Sequence, residues 1–203
     1  MKKNAITFLL ATMFVIAGAV VAGIARSTEG EVPAPPAIGS TLENFTLPDA
    51  DGKEHSLNSL KGKNGSVLIF VATKCPVSNA YNERMERLAQ EYKARGVNLI
   101  GINSNVAESP AAVKAHAAEN KLTFPILKDP ANKIADRLGA SVTPEVYFLD
   151  ASNKLVYRGR IDNARDAGQV SASELRDAIE ATLAGKPVVK TTATAFGCTI
   201  KRA

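Results

Sequence analysis

Tryptophan is missing from the 203 residues, and cysteine and histidine are down to two each. Two cysteines exclude a disulfide-dense scaffold, and 14 glycines with 10 prolines exclude a collagen-like chain. With 45% hydrophobic residues, disorder is excluded as well. Cys75, Cys198, His55 and His116 lie far apart and lack the ligand spacing of a zinc or copper centre, so no metal and no other cofactor is implied. There is no internal repeat and no basic run interleaved with aromatics. The formal charge of +5 comes from 25 Lys+Arg against 20 Asp+Glu, and setting aside Lys2, Lys3 and Arg26 leaves 22 against 20. Nucleic-acid binding therefore has no electrostatic footing.

Charge is absent altogether from the 21 residues Ala5 to Ala25, which follow Lys2 and Lys3. The apolar run Ile6 to Ile16 precedes small-residue sites at Ala17-Gly18-Ala19 and Val20-Val21-Ala22. Residues 1–26 therefore read as a cleaved signal peptide or as a single-helix membrane anchor, two alternatives the sequence leaves open. Either one, with Lys2 and Lys3 inside, places residue 27 onward outside the cytoplasm, in the periplasm or cell envelope. In that oxidising compartment an even cysteine count points to a disulfide, or to thiols that act on disulfides.

Residues 27–37, with Pro33, Pro35 and Pro36, read as an extended linker. Phe45 to Leu57 reads as a hairpin turning at Asp51-Gly52. Val67-Leu68-Ile69-Phe70-Val71 and Val97 to Ile102 are continuous apolar runs, as expected of strands buried on both faces. Between them, Tyr81, Met85, Leu88 and Tyr92 recur at helical spacing. Ser109-Pro110 and Asp129-Pro130 are helix starts, and Gly139 is a helix stop. Glu145 to Leu149 and Leu155 to Ile161 pair about Ser152-Asn153, and Ser171 to Glu174 forms a capping box for a last helix. Alternating βα units followed by a hairpin and a helix make an α/β domain over residues 38–185, with a central mixed sheet flanked by helices. Residues 186–203 form a tail carrying Cys198.

The chemistry concentrates in Phe70-Val71-Ala72-Thr73-Lys74-Cys75-Pro76-Val77-Ser78-Asn79. This stretch leaves the C-terminal end of a buried strand, where active sites of open α/β sheets lie, and enters a helix. In the first helical turn Cys75 would meet free backbone N–H groups and the positive helix end, with Lys74 beside it, and these favour a thiolate. A thiolate there attacks disulfides or peroxides. The alternative is a buried, inert cysteine.

The stretch resembles the thioredoxin-like superfamily, specifically the redoxin (alkyl hydroperoxide reductase/thiol-specific antioxidant) group and the exported thioredoxins of cytochrome maturation. The resemblance extends to Leu42-Glu43-Asn44-Phe45-Thr46-Leu47-Pro48-Asp49 with Gly52-Lys53, and to Val142-Thr143-Pro144-Glu145-Val146. It implies a thioredoxin-like fold with an N-terminal β-hairpin extension, Cys75 as nucleophile and Pro144 as the cis-proline facing it. It further implies that Thr143 offers its backbone to an extended substrate, as in strand addition. Thr73 and Ser78 complete the implied substrate-binding set.

Three departures from the family pattern stand out. Ser78 occupies the place of the second motif cysteine; it can donate a hydrogen bond to a thiolate but cannot resolve a mixed disulfide. Ile69 stands where thioredoxins carry a buried Asp. Ala72 and Thr143-Pro144 stand where peroxiredoxins want Thr and Arg, for which Thr73 and Arg158 or Arg160 are the substitutes at hand.

Cys198 lies 13 residues beyond Gly185, a span of about 40 Å when extended, against a domain radius of gyration of roughly 15 Å. It can reach Cys75 as a resolving thiol. A permanent structural disulfide between the two, or an independent or interchain thiol, are the alternatives. The sequence thus predicts an exported thiol-disulfide oxidoreductase acting on protein disulfides or thiols and recharged by a membrane or periplasmic reductant. A thiol peroxidase acting on peroxides, and a non-catalytic module that captures client thiols, are the other readings. Arg158-Gly159-Arg160-Ile161-Asp162 reads as an exposed sheet edge with an Arg–Asp pair, and Asp49, Asp51 and Asp129 as turn and cap residues.

Overall fold

The computed structural model describes residues 33–202; the expected leader, 1–26, and residues 27–32 of the linker lie outside them. Among the described residues no helix is long and apolar enough to cross a membrane.

The continuous apolar runs become the middle of a five-stranded sheet. β3 (Gly65–Phe70) lies parallel to β4 (Val97–Asn103) and antiparallel to β7 (Glu145–Asp150); β5 (Ile126–Lys128) and β8 (Leu155–Gly159) complete the order β5-β4-β3-β7-β8. Side chains alternate across the sheet. Val67, Ile69, Leu99, Val146 and Phe148 face one core, and Leu68, Phe70, Ile100, Tyr147 and Leu149 face the other. The first core is closed by α3 (Asn82–Lys93), through Met85, Leu88 and Tyr92, and by α6 (Glu174–Leu183), through Leu175 and Ile179. The second is closed by Ile134 and Leu138 of α5 (Lys133–Leu138) and by Leu47 of the hairpin β1 (Thr46–Pro48) and β2 (Glu54–Ser56). The short helix α1 (Leu57–Leu60) adds Leu57. Two apolar faces explain why β3 carries no alternation of polar and apolar residues. The result is the thioredoxin-like arrangement, a mixed sheet flanked by helices with a hairpin before it.

Local signals acted as the chain chemistry dictates. Ser109 caps α4 (Pro110–Glu119) by accepting the Ala112 N–H at 3.2 Å. The helix expected from Asp129-Pro130 starts later. Pro130–Asn132 make only a 3-10 turn with Ala131 and Asn132 left-handed, and the buried Asp129 instead accepts the N–H groups of Ile134 and Ala135 where α5 begins at Lys133. Gly139 ends that helix in the left-handed region at φ 64°.

Three further local expectations are corrected. The helix expected after Cys75 is two helices, α2 (Pro76–Ala80) and α3, separated at Tyr81. The capping box at Ser171–Glu174 does not form. Ser171 is instead engaged with Asn163, Ser173 makes no cap bond, and the buried Glu174 carboxylate turns to Arg160 and Lys190 at 2.5 and 2.8 Å. Those two cations hold the Glu174 carboxyl at about 2, although its burial acts to raise it. Finally, β8 is not an exposed edge. The tail runs beside it through an Arg158–Thr192 bridge, and a Cβ at Gly159 would lie 1.9 Å from the Ala193 carbonyl oxygen. The Arg–Asp pair joins Asp162 to Arg84 at 2.7 Å rather than to Arg158 or Arg160.

Candidate active site

Cys75 sits one residue ahead of the first helical turn in which it was expected, as the N-cap of α2, with Pro76 at the first helical position, where its missing N–H costs nothing. Its sulfur accepts the Ser78 N–H at 3.3 Å and, as a thiol, donates to the Thr143 carbonyl at 3.4 Å. The Ser78 hydroxyl does not serve the sulfur. It is 1% exposed and accepts the Ala72 N–H at 3.2 Å, so Ser78 acts through its backbone and pins the strand end. α2 has only five residues, so directed N–H groups act here rather than a long helix dipole.

Behind the nucleophile loop lies a buried carboxylate that the sequence reading passed over. Glu108 Oε2 accepts the Thr73 N–H at 2.9 Å and Oε1 the Lys74 N–H at 3.0 Å. Asn103, at the end of β4, donates to Oε2 at 2.6 Å. Lys128 of β5 bonds Asn103 Oδ1 at 2.5 Å and the Glu108 carbonyl at 2.8 Å. Burial works to raise the Glu108 carboxyl, but the bonds from Thr73, Asn103 and Lys74 outweigh it and leave it below the usual range. Thr73 is therefore fixed through its backbone, with its carbonyl also taken by Asn79 at 2.9 Å. The only sequence signal for Glu108 was its place just before the Ser109-Pro110 helix start.

Opposite Cys75, the Thr143-Pro144 peptide bond is cis. The preceding strand, β6 (Val142–Thr143), pairs antiparallel with β9 (Cys198–Thr199), setting Thr143 opposite Cys198. The edge expected to take a substrate is held by the protein's own tail. Gly197 is required there, because a Cβ would lie 1.9 Å from the Thr143 carbonyl oxygen. Phe196 packs edge-on to Tyr81 with ring centroids 6.3 Å apart. Beyond the strand, the Ile200 N–H bonds the Ser141 carbonyl at 2.9 Å and its side chain, 3% exposed, enters the second core. The Lys201 N–H reaches Asn105 Oδ1 at 2.8 Å, and Arg202 pairs with Asp136 at 2.8 Å.

Both cysteines are free thiols, and their side chains meet. Burial acts to raise the Cys75 thiol. Hydrogen bonds from the Cys198 thiol, the Ser78 N–H, Thr143 and the Cys198 N–H overcome that and lower it. Cys198 moves the other way, pushed up first by its bond to Cys75 and then by burial. The pair is thus polarised, Cys75 being the more readily deprotonated of the two. Such a pair can attack a disulfide and then close on itself. In this state, however, Cys75 is only 3% exposed, with Cys198 of the tail against it.

Among the described residues no group of three or more His, Cys, Asp or Glu could hold a metal ion. His55 pairs with Asp49 at 2.8 Å in the hairpin, and His116 lies between Asn82 and Asn120.

The AhpC/TSA family model matches residues 38–158. A curated relative, "Thiol-disulfide oxidoreductase ResA" of Bacillus thuringiensis (strain Al Hakam), is 30% identical over 156 residues, covering 77% of this chain and 88% of that protein. Two solved structures superpose with TM-scores of 0.77. One is a hypothetical protein from Sinorhizobium meliloti 1021, 31% identical, covering 84% of this chain and 97% of that one. The other is a conserved protein from Geobacillus kaustophilus, 32% identical, covering 82% and 93%.

Proposed function

The chain belongs to the AhpC/TSA family, and from that premise we propose that it is an exported thiol-disulfide oxidoreductase with Cys75 as nucleophile and Cys198 as resolving thiol. Oxidoreductase activity of the thiol-disulfide class follows from its named relatives. The residue roles rest on one observation: two free thiols meet at the Thr143-Pro144 loop, with the Cys75 thiol lowered and the Cys198 thiol raised. Export rests on Lys2 and Lys3 ahead of the uncharged Ala5 to Ala25.

The Cys75 thiolate attacks one sulfur of a protein disulfide. That S–S bond breaks, a mixed disulfide forms, and the departing thiolate takes a proton from water. Cys198, losing its proton to solvent, then attacks the Cys75 sulfur and displaces the second client thiolate. Two electrons have passed to the client, and a Cys75–Cys198 disulfide remains for an external dithiol, the membrane or periplasmic reductant, to reduce. Ser78 cannot perform the second step, which leaves Cys198 as the resolving sulfur within the chain.

Insulin-disulfide reduction with dithiothreitol as the dithiol tests this. Cys75→Ser is expected to abolish turnover, and Cys198→Ser, reduced and then freed of dithiothreitol, to stop after one attack as a mixed disulfide visible by non-reducing peptide mapping. Release of fully reduced insulin chains by Cys198→Ser in the absence of dithiothreitol would refute its resolving role. A Cys75–Cys198 couple well below about −300 mV would mark a structural bond instead. Hydrogen peroxide consumption outpacing insulin reduction would move the reading to a thiol peroxidase, and trapped clients without turnover to a capture module.

A further inference from the structure

In the closed state a client cannot approach Cys75. Cys75 is 3% exposed, and β6, whose only partner strand among the described residues is β9, has its edge filled by Cys198 and Thr199. Any reaction with a protein disulfide therefore passes through a state in which the tail has left. The tail's anchors fall into two sets. Upstream the tail is fixed to β8 by the Ala193 N–H on the Arg158 carbonyl, whereas Thr194 and Ala195 make no backbone hydrogen bond among the described residues. Downstream it is held by a few separable contacts, those of Phe196, Ile200, Lys201 and Arg202.

We propose that residues Phe196–Arg202 are a displaceable internal copy of the client segment, so that the site selects extended client strands that reproduce the tail around their own cysteine. This rests on the thiol-disulfide reading above and adds to it the chemistry of the client. Each contact of the tail states one requirement. Immediately before the client cysteine only glycine fits, because a Cβ at Gly197 would stand 1.9 Å from the Thr143 oxygen. Two residues before it, an aromatic ring meets Tyr81, as Phe196 does. Two residues after it, an aliphatic side chain fills the buried place of Ile200. Four residues after it, a cation meets Asp136, as Arg202 does.

The same competition orders the chemistry. A client that has displaced the tail places its disulfide on Cys75, and the mixed disulfide forms with loss of the first client thiolate. Return of the tail brings the Cys198 sulfur to the Cys75 sulfur and takes the backbone edge from the client at once. Breaking the mixed disulfide and releasing the reduced client become a single movement, with Cys75–Cys198 as the bond formed.

The test uses the full chain carrying Cys198→Ser, in which the mixed disulfide is the end point. The probe is a synthetic peptide, Ala-Phe-Gly-Cys-Thr-Ile-Lys-Arg, whose cysteine is a mixed disulfide with thionitrobenzoate; release of the coloured thiolate reads attack by Cys75. Adding Gly197→Val or Ile200→Asp to the chain loosens the tail and is expected to speed the reaction at least tenfold. Gly197→Val leaves the core untouched should Ile200→Asp fold poorly. On the loosened chain, a peptide with valine in place of its glycine, or aspartate in place of its isoleucine, is expected to react at least tenfold more slowly. Equal, measurable rates with tight and loosened tails, or with all three peptides, overturn the internal-copy proposal and leave the oxidoreductase reading standing. A Cys75 inert toward every probe in every chain overturns both.

Discussion

Ile200→Ala probes the latch that covers Cys75. The side chain is 3% exposed and belongs to the second core, which also holds Leu42, Leu138 and Ala140. Truncating a buried Ile to Ala costs about 2–5 kcal/mol in protein cores. Ile200 belongs to the tail segment rather than to the central sheet, and neighbours there can partly close the gap, so the low end, about 2 kcal/mol, applies. The loss falls on the tail rather than on the sheet, because the tail can leave by local opening while β3, β4 and β7 stay paired. About 2 kcal/mol corresponds to a roughly 30-fold larger open population. Alkylation of Cys75 by iodoacetamide, followed by mass spectrometry under conditions where closing outpaces alkylation, should rise by that factor. The urea midpoint of the whole domain should move little. Val189→Ala, at a position 98% exposed, serves as the control and should change neither. An unchanged alkylation rate in a folded Ile200→Ala protein would refute the latch.

Two further expectations concern the charge states at the site. Cys198→Ala removes the thiol hydrogen bond that heads the influences lowering Cys75. The pH midpoint of Cys75 alkylation should therefore shift upward, and Cys198→Ser, which keeps a hydroxyl donor, should shift it less; a midpoint unmoved by Ala would show that the backbone donors suffice. Glu108→Gln replaces one carboxylate oxygen by an N–H group facing buried donors. Leaving such a group unpaired costs about 1–3 kcal/mol, which urea unfolding at pH 7 should record. Because the folded carboxyl lies below its ordinary value, the stabilisation is present above the unfolded value and is lost as pH falls through the folded one. The gap between parent and variant should close on acidification, and a gap independent of pH would deny the carboxylate its role.

Much of the fold was written into short-range pattern. A two-sided sheet core demands continuous runs, and Val67 to Val71 and Val97 to Ile102 are such runs. The spacing of Met85, Leu88 and Tyr92 gave the buried face of α3, although the interruption at Tyr81 was invisible, because periodicity continues across it. β5 went unseen because it is three residues long and Pro125 precedes it. The capping box failed for a tertiary reason, since Glu174 finds two cations from other segments, Arg160 and Lys190. A local motif cannot register such competition.

By itself, the sequence determined the chemistry available: one cysteine at the mouth of a strand-to-helix turn, no second motif cysteine, a proline loop to face it and one distant thiol on a tail long enough to arrive. Only the tertiary structure decided how those parts are used. It turned the Ser78 hydroxyl away from the sulfur, placed Glu108 beneath Thr73 and Lys74, and laid Cys198 on Thr143 with Ile200 in the core. Composition and spacing report which groups a chain owns. Hydrogen-bond direction and strand pairing between residues 55 positions apart depend on where the backbone returns, which the packing of both cores fixes.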